Sequence, residues 1–250
     1  MAFGKVELKR GDKGAGVVEL QLRLAGFRGT LWDGIFGPGT ELQVVSFQRD
    51  YMERKRPSGR ADKRTLGALL DFEEQFPVAV DQVRCPCGQC EGFGSKRFKG
   101  EFSAAARIER NYKYEYPGMH KAILHSYRGA SFFLQRAGFP APVITSGYRC
   151  WFNNEQKGRT STNHMGKAID IDFPLGANQD KRDDMIRCDE GRGTLVELST
   201  FQIGWTAGNR KSLEPSAIAP TWIHMDVRSY SRKYLQDRFF VRPKASAESL

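Results

Sequence analysis

Hydrophobic positions in the first part of the chain recur at helical spacing. Val17, Leu20, Leu24 and Phe27 fall on one face; WDGIFGPGT then interrupts the pattern with three glycines and a proline, and Val44, Val45, Phe47 and Tyr51 begin a second amphipathic helix. A third helix is predicted over 62–72, with Asp62 as its cap. Residues 1–72 therefore read as an all-α three-helix module, and 73–83 (EEQFPVAVDQV) as a linker. Farther on, one long helix over 117–138 opens on a proline, closes on a glycine and carries Ile123, Leu124, Tyr127, Phe133 and Leu134 as its apolar stripe. A strand over 143–148, a turn and the 151–158 segment, a helix over 180–190, a strand over 201–205 and a loop over 209–220 give the remainder, 84–250, an α+β pattern.

Two stretches alternate with a period of two. Ile169, Ile171 and Phe173 alternate with Asp170 and Asp172, and Ile223, Met225 and Val227 alternate with His224 and Asp226. Each is a strand with one apolar face and one acidic or histidine-bearing face. Buried carboxylates are costly to desolvate unless a cation or several donors meet them, so this pattern, with His164 close by, invites a metal ion. Two imidazoles and a carboxylate make three zinc ligands and leave a fourth position for water, the arrangement of a catalytic site. Taken singly, a His-x-Asp or Asp-x-Asp strand is ordinarily structural; the two together carry the metal reading. Alternation does not choose between Asp170 and Asp172, which share a face. The other two of the four histidines, His120 and His125, lie five apart on the long helix, do not share a face well and read as non-ligands.

Composition sets the broad class. With 250 residues, 40% hydrophobic and 27% charged, the chain can bury one large or two small cores. No apolar run approaches a membrane span, and MAFGKVELKR lacks a secretory core, so cytoplasmic synthesis is expected. The net charge of +10 suggests an anionic partner, but no aromatic-plus-basic nucleic-acid module is present and no nucleic acid is expected. The excess falls in the second half, including six basic residues against Asp237 over 228–244, a run that is either a solvated face or a contact with an anionic envelope. Three of the five cysteines, Cys85, Cys87 and Cys90, fall within RCPCGQC; with Cys150 they could complete a structural four-thiolate zinc site, the alternative being a free or disulfide-bonded cluster.

Motifs in both halves resemble known families. RGDKG, the first helix with Leu20 and Gln21, DGIFGPGT, the helix with Phe47 and Gln48, and SGRADKRTLGALL resemble the three-helix peptidoglycan-binding domain. The resemblance implies wall contacts at Asp33, Gly34, Phe36 and Gln48; the alternative is that Asp33, Gly34 and Phe36, with Gly37 and Thr40, are structural, the glycines serving positive-φ turns and Thr40 capping the next helix. SGYRC (146–150), HMGKAIDID (164–172) and WIHMDV (222–227) resemble the zinc peptidases of the D-Ala-D-Ala carboxypeptidase group, of LAS/hedgehog-type fold. That resemblance implies zinc ligands His164, Asp170 and His224, with Asp172 as the alternative to Asp170 because Gly166 follows His164 by two positions where the family has three. It also implies that Arg149 meets substrate and the developing oxyanion. Thr221 stands where many relatives carry an acidic residue, leaving Asp226 either as general base or as a carboxylate orienting His224.

The combination resembles a modular phage endolysin acting as a monomer on peptidoglycan stem peptides. The bond could be L-Ala-D-Glu, D-Ala-diaminopimelate or a terminal D-Ala-D-Ala. Such an enzyme would be held in the host bacterial cytoplasm and reach the wall at lysis. A non-catalytic wall-binding or virion protein with a structural zinc is the alternative.

Overall fold

The structure, a computed structural model, describes residues 6–29, 33–94, 115–159, 163–176, 179–204, 211–227 and 236–241. Most of the basic run over 228–244, and Trp205 of the expected strand over 201–205, lie outside the described residues.

The N-terminal half is helical: α1 (Ala15–Arg23), α2 (Pro38–Asp50) and α3 (Lys63–Gln75). Pro38 opens α2, where its missing N–H costs nothing, and the Asp62 carboxylate caps α3 by accepting the Thr65 N–H at 2.7 Å. Phe27, Phe47 and Phe72 meet edge-to-face at ring distances of 5.1, 5.5 and 5.8 Å and form the centre of the module.

Two buried glutamines repeat one device. Gln21 accepts from Gly34 N–H and donates to the Ile35 carbonyl and Thr40 hydroxyl. Gln48 accepts from Ser58 and Gly59 N–H and donates to the Arg60 carbonyl and Thr65 hydroxyl. Each pins a turn to the start of the helix that follows it. The sequence SGRADKRT thus replaces the first turn's DGIFGPGT in the same structural role.

The segment expected as a linker is packed. Its first residues belong to α3, 80–83 form a short helix α4 (Val80–Val83), and Val78 and Val83 are fully buried. The halves also touch directly. A Cβ added to Gly26 would lie 2.5 Å from the Gly129 Cα, so these two backbones cross at a distance only glycine permits. Phe27 packs on Phe132 and Phe133, and Arg128 Nε donates to the Phe76 carbonyl at 3.1 Å.

The C-terminal half is α+β. A five-stranded sheet runs β2–β3–β6–β5–β4, built from β2 (Val143–Ser146), β3 (Ala168–Asp172), β4 (Gln202–Ile203), β5 (Lys211–Leu213) and β6 (Ile223–Val227). All its pairs are antiparallel except β4 with β5. Helix α5 (Lys121–Arg136) lies on β3 and β6, and α7 (Lys181–Leu198) lies on α5, β4 and β6. Ile169, Ile171, Ile223 and Met225 are fully buried, while Asp170 and His224 alternate with them onto the opposite face. A two-stranded ribbon, β1 (Met119–His120) with β7 (Phe240–Val241), stands apart from the sheet.

Several boundaries differ from the sequence expectation. The helix expected over 117–138 starts only at Lys121: Met119 and His120 form β1, and the His120 Nδ1 caps α5 by accepting the Ala122 N–H at 3.1 Å. Helix α7 runs through to Leu198, past the expected end at 190, because Gly191 fits against Ile223 and Phe173, where an added Cβ would come within 3.0 Å of Ile223. Part of the 209–220 loop is strand β5, whose three residues are all buried. The 151–158 segment contains helix α6 (Trp151–Gln156), with the Cys150 sulfur as its cap.

Candidate metal centre and substrate cavity

The centre is assembled from a turn and two neighbouring strands. Asp170 on β3 and His224 on β6 are direct cross-strand partners. His164 comes from the turn before β3. Gly166, at φ +113°, makes that turn so tightly that a Cβ would lie 2.3 Å from the Gly118 carbonyl oxygen. This accommodates the short spacing between His164 and Gly166.

His164 Nδ1 lies 2.7 Å from the Gly147 carbonyl, which can only accept, so Nδ1 carries the proton and Nε2 presents its lone pair. That Nε2 is 3.2 Å from Asp170 Oδ1 and 3.3 Å from His224 Nδ1, and the third edge, His224 Nδ1 to Asp170 Oδ1, is 2.7 Å. A tetrahedral zinc with bonds of about 2.0–2.1 Å sets its ligands about 3.3 Å apart, so two edges of this triangle already have the spacing the ion needs, and the third, now a hydrogen bond, would have to open to admit it. All three side chains are buried.

The surrounding charges tune the triangle. Burial opposes the charge on Asp170, yet His164 and His224 pull its carboxyl far below the ordinary range. Burial pushes His164 down. His224 is raised to about 9 against its burial, because it stands between the carboxylates of Asp170 and Asp226. Arg149 pairs with Asp170 Oδ2 and donates from Nε to Ser146 Oγ at 2.8 Å.

The triangle faces a cavity of ≈ 470 Å³ whose wall includes Ser146, Arg149, Lys157, Arg159, Glu214 and Trp222. Four of these six carry charge, and three are cationic. Glu214 carries no signal in the sequence, because 209–220 reads as loop. It follows Leu213, the partner of Met225, and its N–H donates to the His224 carbonyl at 3.1 Å. Recognising β5 as a strand would have placed it beside His224.

Two expected residues stand elsewhere. Asp226 is fully buried behind His224, 3.5 Å from its Nε2 and 3.4 Å from Asn163 Nδ2, and does not line the cavity. Of the two roles expected for it, orienting His224 suits this position and general base does not. Asp172 lies across from Val143 at the far end of β3, its carboxylate 3.7 Å from Cys188 Sγ and close to Asp184. Its carboxyl is raised to about 6, mainly by burial. His120 and His125 are both outside the triangle, His125 being buried 3.1 Å from Arg128. Cys85, Cys87, Cys90 and Cys150 are brought together as a separate cluster.

The positions expected to touch the wall are largely internal. Phe36 is 1% exposed in the helical core and Gln48 is fully buried in its turn-pinning role. Gly34 is also buried; Asp33 is exposed, but its carboxylate accepts from Gln21 Nε2 and Ile35 N–H. These residues build the turns, and no glycan can reach Phe36 or Gln48.

Comparison with known proteins bears on the N-terminal half. Residues 13–69 match the family model described as a putative peptidoglycan binding domain. Among solved structures, the crystal structure of the SleB N-terminal domain is 35% identical, covering 28% of this chain and 96% of that one, with a TM-score of 0.26. No curated protein matches the chain. The chain thus carries an N-terminal peptidoglycan-binding domain, followed by an α+β half. Among the described residues no helix is long and apolar enough to cross a membrane.

Proposed function

We propose that the chain is a zinc peptidase that cleaves a peptide bond in the stem peptides or cross-links of peptidoglycan. The observation that carries this reading is the His164, Asp170 and His224 triangle, open to a cation-lined cavity on a chain that also has a peptidoglycan-binding domain. Zinc bound there would polarise the scissile carbonyl and supply a water acidic enough to attack near neutral pH.

The chain's own groups do the rest. Gly147 and Asp226 fix the ring orientations of His164 and His224 from behind. Glu214, on the cavity wall, takes up the proton of the attacking water and returns it to the leaving amine. The Arg149 guanidinium, held by Asp170 and Ser146, offers its remaining N–H groups to the oxygen that gains charge. Lys157 and Arg159 favour a substrate bearing free carboxylates, which stem peptides do. The setting is that of the modular phage endolysins the sequence resembles, acting from the host cytoplasm on the wall at lysis.

The test is digestion of purified peptidoglycan by untreated, chelated and zinc-restored protein, with mass spectrometry of the soluble products. Zinc-dependent release is expected, and the new termini name the bond. Protein that sediments with the walls yet releases nothing in any metal state would leave a binding protein and remove the peptidase.

A further inference from the structure

The four cysteines that converge beside the cavity have no part in the reaction above. Three come from the chain entering the α+β half and the fourth from the turn between β2 and α6. Their sulfurs all lie within 4.8 Å of one another, with Cys87 Sγ 3.5 Å from both Cys90 Sγ and Cys150 Sγ. Four thiolates around a tetrahedral zinc, with bonds of about 2.3 Å, stand about 3.8 Å apart.

Each sulfur also receives backbone N–H groups. Cys85 Sγ accepts from Cys150 N–H at 3.4 Å, Cys87 Sγ from Gln89 at 3.3 Å, and Cys150 Sγ from Asn153 at 3.4 Å; Cys90 is met by the amides of Gly92 and Gly94. A neutral thiol is a weak acceptor and gains little from such bonds. Backbone donors thus meet all four sulfurs, the surroundings found around thiolates that hold a metal.

We propose that Cys85, Cys87, Cys90 and Cys150 bind a second zinc ion through four thiolates. The site is closed, with no position left for substrate, so the ion is structural. Binding releases the thiol protons and consumes no oxidant or reductant. The ion's place in the fold gives it a specific task. Pro86, between two of the ligands, lines the cavity, and Arg149, immediately before the fourth, lines it as well and pairs with Asp170. The second zinc ties the entering chain to the turn that carries Arg149 and so fixes one wall of the cavity. It is independent of the first zinc and stands even if that one is absent.

The test is metal counting on protein purified under reducing conditions without chelator. Wild type is expected to hold two zinc ions per chain by plasma mass spectrometry, and a His164→Ala/His224→Ala variant one. Cobalt replacing that remaining ion should show the sulfur-to-cobalt absorption of a tetrahedral thiolate site. An organomercurial titration of the same variant should release one zinc, read with a chelating dye, as four thiols react. Adding Cys87→Ser should abolish the remaining zinc; should that protein not fold, the organomercurial titration decides with all cysteines in place. A double-histidine variant with no zinc, disulfides among these four cysteines in the intact mass, or iron in place of zinc would each overturn the proposal. One zinc in the wild type, kept in the double-histidine variant, would uphold this site and sink the catalytic one.

Discussion

Glu214 and Asp226 both neighbour His224, the first through its backbone carbonyl and the second beside its ring, and their surroundings give them different work. Glu214 lines the cavity; Asp226 is sealed behind His224. Glu214→Gln should therefore lower kcat by roughly 10²–10⁴-fold, the usual worth of a general base, with zinc content unchanged. Asp226→Asn should instead weaken zinc by about 10–100-fold, as loss of an orienting partner does, visible in competition with a chromophoric chelator. If Asp226→Asn kept full affinity while kcat alone fell, the two assignments would have to be exchanged. At this scale the sequence was only partly legible. Its motifs pointed to the residues of the triangle, but choosing Asp170 over Asp172 depends on register. Asp170 faces His224 directly, and the irregularity between Ile144 and Ser146 brings Ser146 opposite Asp170, whereas Asp172 faces Val143. Alternation records the face of a strand and not the position along it.

Elements were legible where a periodic pattern was long and hidden where a short segment was fixed by its neighbours. The alternation of β3 and β6 and the apolar stripe of α5 appear directly in the sequence. Strand β5 is Lys-Ser-Leu, too short and too polar to alternate, and is a strand because β6 pairs with it. Helix α7 passes through Gly191, which would read as a breaker but fits closely against the side chains of Ile223 and Phe173, 3.0 and 3.2 Å from where a Cβ would stand. The crossing of α5 over the end of α1 follows the same logic and can be tested. In Gly129→Ala the new methyl meets the Gly26 Cα, and overpacking of this kind costs about 1–3 kcal/mol. Urea unfolding should show a lower midpoint at unchanged slope. An unaltered midpoint would mean that α5 can withdraw from α1 at no cost.

The whole molecule departs furthest from a reading of the chain as two modules on a string. Its apolar core is continuous across both halves, because residues of the expected linker are themselves part of it. Nothing in EEQFPVAVDQV marks it as packed, since its partners lie far along the chain. Lys211 records this join chemically. It stands on β5, yet its ammonium donates to the Ala25 carbonyl in the N-terminal half, with Thr200 Oγ1 at 3.4 Å, and burial pushes it down to about 7. Below that value folded and unfolded chains both carry the proton, and the fold bears the full cost of burying the charge. Between about 7 and the ordinary lysine value of about 10.4, only the unfolded chain holds the proton, so Lys211 makes stability rise with pH, by at most about 1.4 kcal/mol per unit. His224 acts in the opposite sense in metal-free protein. Raised to about 9 from about 6.5, it contributes stability that is complete below the lower value and lost as pH climbs through the upper one. The two therefore offset each other in wild type, and the lysine's effect emerges only by difference. Wild type and Lys211→Met, held in the same metal state so that His224 cancels, should diverge in unfolding free energy between pH 7 and 9, with wild type gaining relative to the variant at each step. Parallel profiles would mean that the ammonium keeps its proton inside the fold, with Ala25 and Thr200 solvating the charge well enough to hold the two halves together through an ion that never titrates.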